Sequence, residues 1–212
     1  MSKKYNLLHE DTNSVEVLSE NTDTGKRLYI EGIMAQANIR NGNGRMYERP
    51  VMEAAVQEYV DKYVSTRQAL GELNHPERPF VDPSEAAIRI TELRMDGDNV
   101  YGKALVLNTP KGQIIKGLLE GGFALGVSTR GLGTLKERNG IKYVQNDFMM
   151  TAIDAVSGPS APEAYVSALT ESRKWMITES GVWQPVDGIE QPEFNEELFL
   201  EKLEQYIKGL KN

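Results

Sequence analysis

His75 and Ser128 have the side chains and settings that suit nucleophilic catalysis by a hydroxyl. His75 stands in Gly71-Glu72-Leu73-Asn74-His75-Pro76, where the following proline holds it to an extended backbone. The chain has one other imidazole, His9, and general-base activation of a hydroxyl near neutral pH most often uses histidine. A histidine before proline is also commonly an ordinary core or surface residue. Ser128 lies in Gly126-Val127-Ser128-Thr129-Arg130-Gly131-Leu132-Gly133. Glycine inside a strand weakens it and is kept for a bulge or a close backbone approach, which a peptide docking beside a nucleophile requires. A kinked edge strand accounts for the same pattern. The segment is not the nucleophile elbow, because Arg130 occupies the place of that motif's second glycine.

Asp154 is a lone carboxylate in the apolar stretch Ala152-Ile153-Asp154-Ala155-Val156, just before a Gly-Pro turn. A buried aspartate needs a partner, and holding the Nδ1 hydrogen of a histidine is one such role. A surface-facing strand position is the alternative, and Glu72 and Asp82 also remain candidates for orienting His75.

Other chemistries find less support. With no cysteine and two histidines, thiol nucleophiles and disulfides are excluded, and a zinc site has few ligands to draw on. No metal or cofactor is expected. Gly131-Leu132-Gly133 is followed by Lys136 where a dinucleotide fingerprint needs glycine, and no phosphate loop occurs. Paired carboxylates can serve a glycosidase, but 31 acidic residues make chance pairing common.

These residues must be held by a scaffold of ordinary globular composition. The chain has 212 residues, 40% hydrophobic and 26% charged, enough for one core. A net charge of −7 argues against direct nucleic-acid binding, which needs clustered Lys and Arg. No apolar run is long enough for a membrane span or a signal-peptide core.

Residues 1–24 are polar and aperiodic and read as a flexible leader. Arg27 to Ala35 alternates as the first strand. Asn41-Gly42-Asn43-Gly44 reads as a turn, and Pro50 opens a helix whose apolar face is Met52, Val56, Tyr59, Val60 and Tyr63. Two strands flanking Asp96-Gly97 form a predicted hairpin, a short helix covers 111–120, and strands follow over 123–135, 141–146 and 148–156. The expected class is α+β with a largely antiparallel sheet or barrel. The domain boundaries are 25–170 for the main domain and 171–212 for a linker and an amphipathic C-terminal helix. That helix carries Leu200, Leu203, Ile207 and Leu210 on one stripe and can dock on its own domain or on another chain.

Taken together, the Gly71–Pro76 segment, Val81-Asp82-Pro83, the Gly126–Gly133 segment and Asp154 through Pro162 resemble the prohead core proteases of large contractile-tailed bacteriophages. Leu28 to Ile33 and Arg45-Met46-Tyr47 extend the likeness, which covers about residues 25 to 170. That family is related to the herpesvirus assembly protease, assemblin. The resemblance implies a small, mostly antiparallel β-barrel surrounded by helices, with His75 as base, Ser128 as nucleophile and a third member on a later strand. The herpesvirus enzymes use a second histidine there, which this chain does not supply, so Asp154 takes the place by its position after the serine.

The resemblance further implies a serine endopeptidase that cleaves prohead scaffold core and capsid proteins after glutamate, with an aliphatic residue two positions earlier. It would act inside the prohead in the host cytoplasm, and assembly of several copies is compatible with it. Arg130 can pair with the substrate glutamate, and oxyanion donors are expected among backbone groups around Arg130 or Gly158. Leu8-His9-Glu10, Leu18-Ser19-Glu20 and Ile177-Thr178-Glu179 fit the cleavage motif, so self-cleavage is expected after Glu10, Glu20 or Glu179, the last removing the C-terminal tail. The rival readings are a non-catalytic capsid- or scaffold-binding module and a metal- or carboxylate-based hydrolase.

Overall fold

The computed structural model describes residues 4–12, 15–22, 25–157, 174–178 and 181–186. Within them the chain is a mixed α/β protein dominated by strands, with few helices. Strands β1 (Lys4–Thr12) and β2 (Val15–Thr22) occupy most of the expected leader. The departure has a physical reason. Leu7 and Leu8 are consecutive and both fully buried, so β1 is covered on both faces and shows no alternation. β2 pairs antiparallel with β3 (Gly25–Gln36).

Asn41 to Gly44 form the expected turn, with Gly44 N–H bonded to Asn41 O at 3.0 Å and Gly44 at a φ of 71°, which glycine adopts without strain. The turn leads into the short β4 (Arg45–Met46) and then α1 (Arg49–Tyr59). Val51, Met52, Ala55, Val56 and Tyr59 form the buried face of α1. Val51, Met52 and Val56 each contribute about 1.5–3 kcal/mol by burial.

Strand β5 (Leu70–Glu72) precedes the hairpin β6 (Ala86–Asp96) and β7 (Asn99–Val106). The hairpin turns at Gly97-Asp98, with Gly97 at a φ of 61°. One five-stranded sheet runs β2-β3-β7-β6-β5.

Helix α2 (Pro110–Glu120) is capped by the Thr109 hydroxyl, which accepts from Gly112 N–H at 3.2 Å. It leads to β8 (Leu125–Gly133), β9 (Leu135–Arg138), β10 (Ile141–Val144) and β11 (Met149–Ser157). Beyond them, β12 (Lys174–Ile177) and β13 (Trp183–Pro185) lie where a linker is expected. The C-terminal helix of the sequence reading falls outside the described residues.

The second five-stranded sheet runs β11-β8-β1-β12-β13, and β4, β10 and β9 make a third sheet. Every residue of β8 is buried, because β1 and β11 pair with its two edges. β5 comes up against β11 through a backbone contact that only glycine permits. A Cβ on Gly71 would stand 1.9 Å from Ile153 O. Just beyond, Asn74 N–H bonds to Ala155 O at 2.8 Å, which fixes the chain at the residue before His75.

Candidate active site

Ser128 and Asp154 are direct cross-strand partners on β8 and β11, so their side chains rise from the same face of the sheet. Asn74, at a φ of 66°, turns the chain leaving β5 so that His75 comes over that face. His75 Nδ1 lies 3.3 Å from Asp154 Oδ2, and the His75 side chain is 19% exposed. The Ser128 hydroxyl is fully buried and has no hydrogen-bond partner among the described residues.

Asp154 is held on every side. Its Oδ1 accepts from Glu72 N–H at 2.8 Å and from Arg130 Nη2 at 3.0 Å, while Oδ2 faces Arg130 Nε at 3.0 Å as well as His75. A carboxylate with these contacts has a fixed plane, and the oxygen facing His75 cannot rotate away. Asp82 is instead the cap of a short turn, accepting from Ser84 N–H and Oγ. These two bonds hold its carboxyl below the usual aspartate range. Glu72 is turned to Arg78, whose Nη2 donates to both its oxygens at 3.0 and 2.9 Å.

Arg130 is fully buried. Besides Asp154, its guanidinium donates to Arg78 O at 2.7 Å and lies 3.6 Å from Glu72 Oε1. The residue expected to meet a substrate carboxylate thus has its donors directed at two internal carboxylates and the loop after His75. Its own N–H sits in a strand paired on both edges. Gly158 lies outside the described residues. Gly131 has a packing reason, since a Cβ there would come within 2.4 Å of the Phe148 ring.

His9 was not legible as a neighbour of the site. It lies opposite Arg130 in the β1–β8 ladder, and its ring centroid is 4.3 Å from that of His75. The second histidine therefore does meet the first, from the N-terminal strand, while a carboxylate stands at His75 Nδ1.

Of the expected cleavage sites, Glu179 falls outside the described residues and Glu20 pairs with Arg27 in the other five-stranded sheet. Glu10 is in β1 and is buried. Its Oε1 accepts from Arg45 Nη1 and Tyr47 OH, each at 2.7 Å, and its Oε2 accepts from Asn41 Nδ2. The Tyr47 hydroxyl is pushed well above its usual range, chiefly by burial and then by the Glu10 charge. It therefore stays a donor. Arg45-Met46-Tyr47 carried a signal of this arrangement, since residues two apart on a strand share a face.

Residues 10–174 match the prohead core protein serine protease family, and the chain belongs to that family. It is 45% identical over 152 residues to the prohead core protein protease of Enterobacteria phage T4, an alignment spanning 69% of this chain and 72% of that protein. Its fold is similar to the solved structure of the bacteriophage T4 capsid assembly protease, gp21. The TM-score is 0.70 and the identity 38%, over 74% of this chain and 100% of that one.

Proposed function

We propose that this prohead protease is a serine endopeptidase in which Ser128 is the nucleophile, His75 the general base and Asp154 the residue that orients the base. The observation that carries this reading is the Asp154 carboxylate, which faces His75 at 3.3 Å and stands across the ladder from Ser128. With the Nδ1 hydrogen directed to Asp154, Nε2 is left as the basic nitrogen. Ser128 Oγ adds to the scissile carbonyl carbon as its proton passes to His75. The carbon–nitrogen bond then breaks, and the same proton leaves with the amine. Water repeats the sequence on the acyl-serine, releasing the carboxylic acid and restoring the hydroxyl. Among the described residues the Ser128 hydroxyl has no competing hydrogen bond to break before this step.

Its substrates in this reading are scaffold and capsid proteins inside the prohead, in the host cytoplasm, cut after glutamate two positions beyond an aliphatic residue. The chain also trims itself, with Glu179, Glu20 and Glu10 as the sites. The test is intact-mass spectrometry over time on the wild-type chain and Ser128→Ala, each with and without a peptide containing Ile-Thr-Glu-Ser. Cleavage after glutamate by the wild type alone is the expected result. Equal cleavage by both proteins would remove Ser128 from the mechanism.

A further inference from the structure

The loop that carries His75 forms neither helix nor strand between β5 and the short turn at Pro83, so its backbone groups need anchors supplied by side chains. Glu72 supplies several of them. It is buried and acts at both ends of the loop. At the near end its N–H donates to Asp154 Oδ1 at 2.8 Å. At the far end its Oε1 accepts from Asp82 N–H at 2.8 Å, and Arg78, midway along, donates to both carboxylate oxygens. Arg130 reaches the same loop from β8, through Arg78 O and, at 3.5 Å, Phe80 O. The loop thus hangs on one carboxylate and one guanidinium.

Those two groups also meet each other, and their meeting bears on the base. Arg130 lies against both oxygens of Asp154, and such a bidentate pair carries no net charge. A neutral pair can orient His75 Nδ1, but it does little to favour the imidazolium that forms as Ser128 gives up its proton. Glu72 Oε1 lies 3.6 Å from Arg130 Nη2. Two carboxylates against one guanidinium leave one negative charge, and all three side chains are buried. Arg78, on the far side of Glu72, has a side chain 35% exposed, so water screens its charge.

We infer that Glu72 is a positioning residue of the reaction: by offsetting the charge of Arg130 it keeps the Asp154 side of the site negative toward His75, while the same carboxylate closes the loop on which the base stands. The inference rests on the proposed protease function and names a group that sets the strength of its base. The titratable and charged groups about His75 are Asp154 on β11, His9 on β1, Arg130 on β8, Glu72 on β5, and Glu77, Arg78 and Asp82 of its own loop. Glu72 and Asp154 are the carboxylates placed against Arg130.

The test reads His75 by NMR, so it does not depend on turnover. The full chain carrying Ser128→Ala, with isotope-labelled histidine, is titrated from about pH 4 to 9, alone and with Glu72→Gln or Arg78→Gln added. The chain has two imidazoles, and the signal lost in His75→Gln is that of His75. Glu72→Gln removes the offsetting charge and is expected to lower the His75 midpoint by about one pH unit. Arg78→Gln removes the cation beyond Glu72 and is expected to raise it by about half a unit, less because that guanidinium is partly in water. Opposite signs are the signature of charge. A carboxylate that only shapes the loop predicts one direction for both variants, toward the ordinary histidine value of about 6.5, because each loosens the same closure. No fall in Glu72→Gln, or no rise in Arg78→Gln, overturns the inference, and the second variant decides alone where the first does not fold. Ser128-independent cleavage in the mass-spectrometric experiment would instead sink the functional reading while leaving these titrations standing.

Discussion

Arg130 grips Asp154 at both oxygens, Nη2 to Oδ1 and Nε to Oδ2, each at 3.0 Å. The pair is fully buried, and removing the cation would strand Asp154 while weakening the setting of Glu72. Arg130→Met is therefore expected to lower stability by about 3–5 kcal/mol. Arg130→Lys should lose less, but a point charge cannot span the carboxylate and the Arg78 carbonyl together. Urea unfolding measures both.

Asp154→Asn keeps the shape and removes the charge. An amide nitrogen would face either Arg130 or His75, and in either orientation one of the present bonds becomes a clash of donors. A fall in kcat of about 10,000-fold is expected, by analogy with the same change in serine protease triads. KM should stay near the wild-type value. Peptide cleavage kinetics on both proteins check the split.

Gly71→Ala tests the backbone contact between β5 and β11. The added methyl meets Ile153 O, which has no rotamer to escape into. A loss of about 2 kcal/mol or more is expected from overpacking, with cleavage falling as His75 shifts. Gly97→Ala is the control: nothing lies within 4 Å of its Cβ, so the cost is that of the positive φ alone, about 1 kcal/mol, with cleavage intact.

Tyr59 places inside the core a hydroxyl that has no hydrogen-bond partner among the described residues, and burial, then the Asp154 charge, push its ionisation far above the usual range. Tyr47 shifts in the same direction. Above about pH 10 the unfolded chain gives up both phenolic protons while the folded chain keeps them. The stability these groups contribute is full below that pH and declines as pH rises, by about 1.4 kcal/mol per pH unit for each tyrosine. Tyr59→Phe is expected to halve that decline and to leave the protein at least as stable at neutral pH. Urea midpoints from pH 9 to 11 check both.

Much of this was legible before any coordinates. The β6–β7 hairpin announced itself through Asp96-Gly97, and α1 through Pro50 and its apolar spacing, because local chemistry dictates both. Ser128, His75 and Asp154 were picked out by type and setting, although their distances were not. β1 was lost because a strand buried on both faces has no alternation, and its polar residues find partners far off in sequence. Arg130 read as a partner for a substrate glutamate because it stands two residues from Ser128; its two internal carboxylates, Asp154 and Glu72, come from different strands. The Glu10 pocket was hidden for the same reason, since Glu10 and Arg45 meet only once β1 has paired.

The ladder that flanks Ser128 joins Asn6 to Gly133 and Thr12 to Val127. Pairings between ends so distant along the chain close slowly, whereas the β6–β7 hairpin can form as soon as it is made. Connectivity alone thus imposes a delay. A growing chain that already contains His75 and Ser128 still lacks the strand bearing Asp154, so the three side chains come together only after β11 has been made.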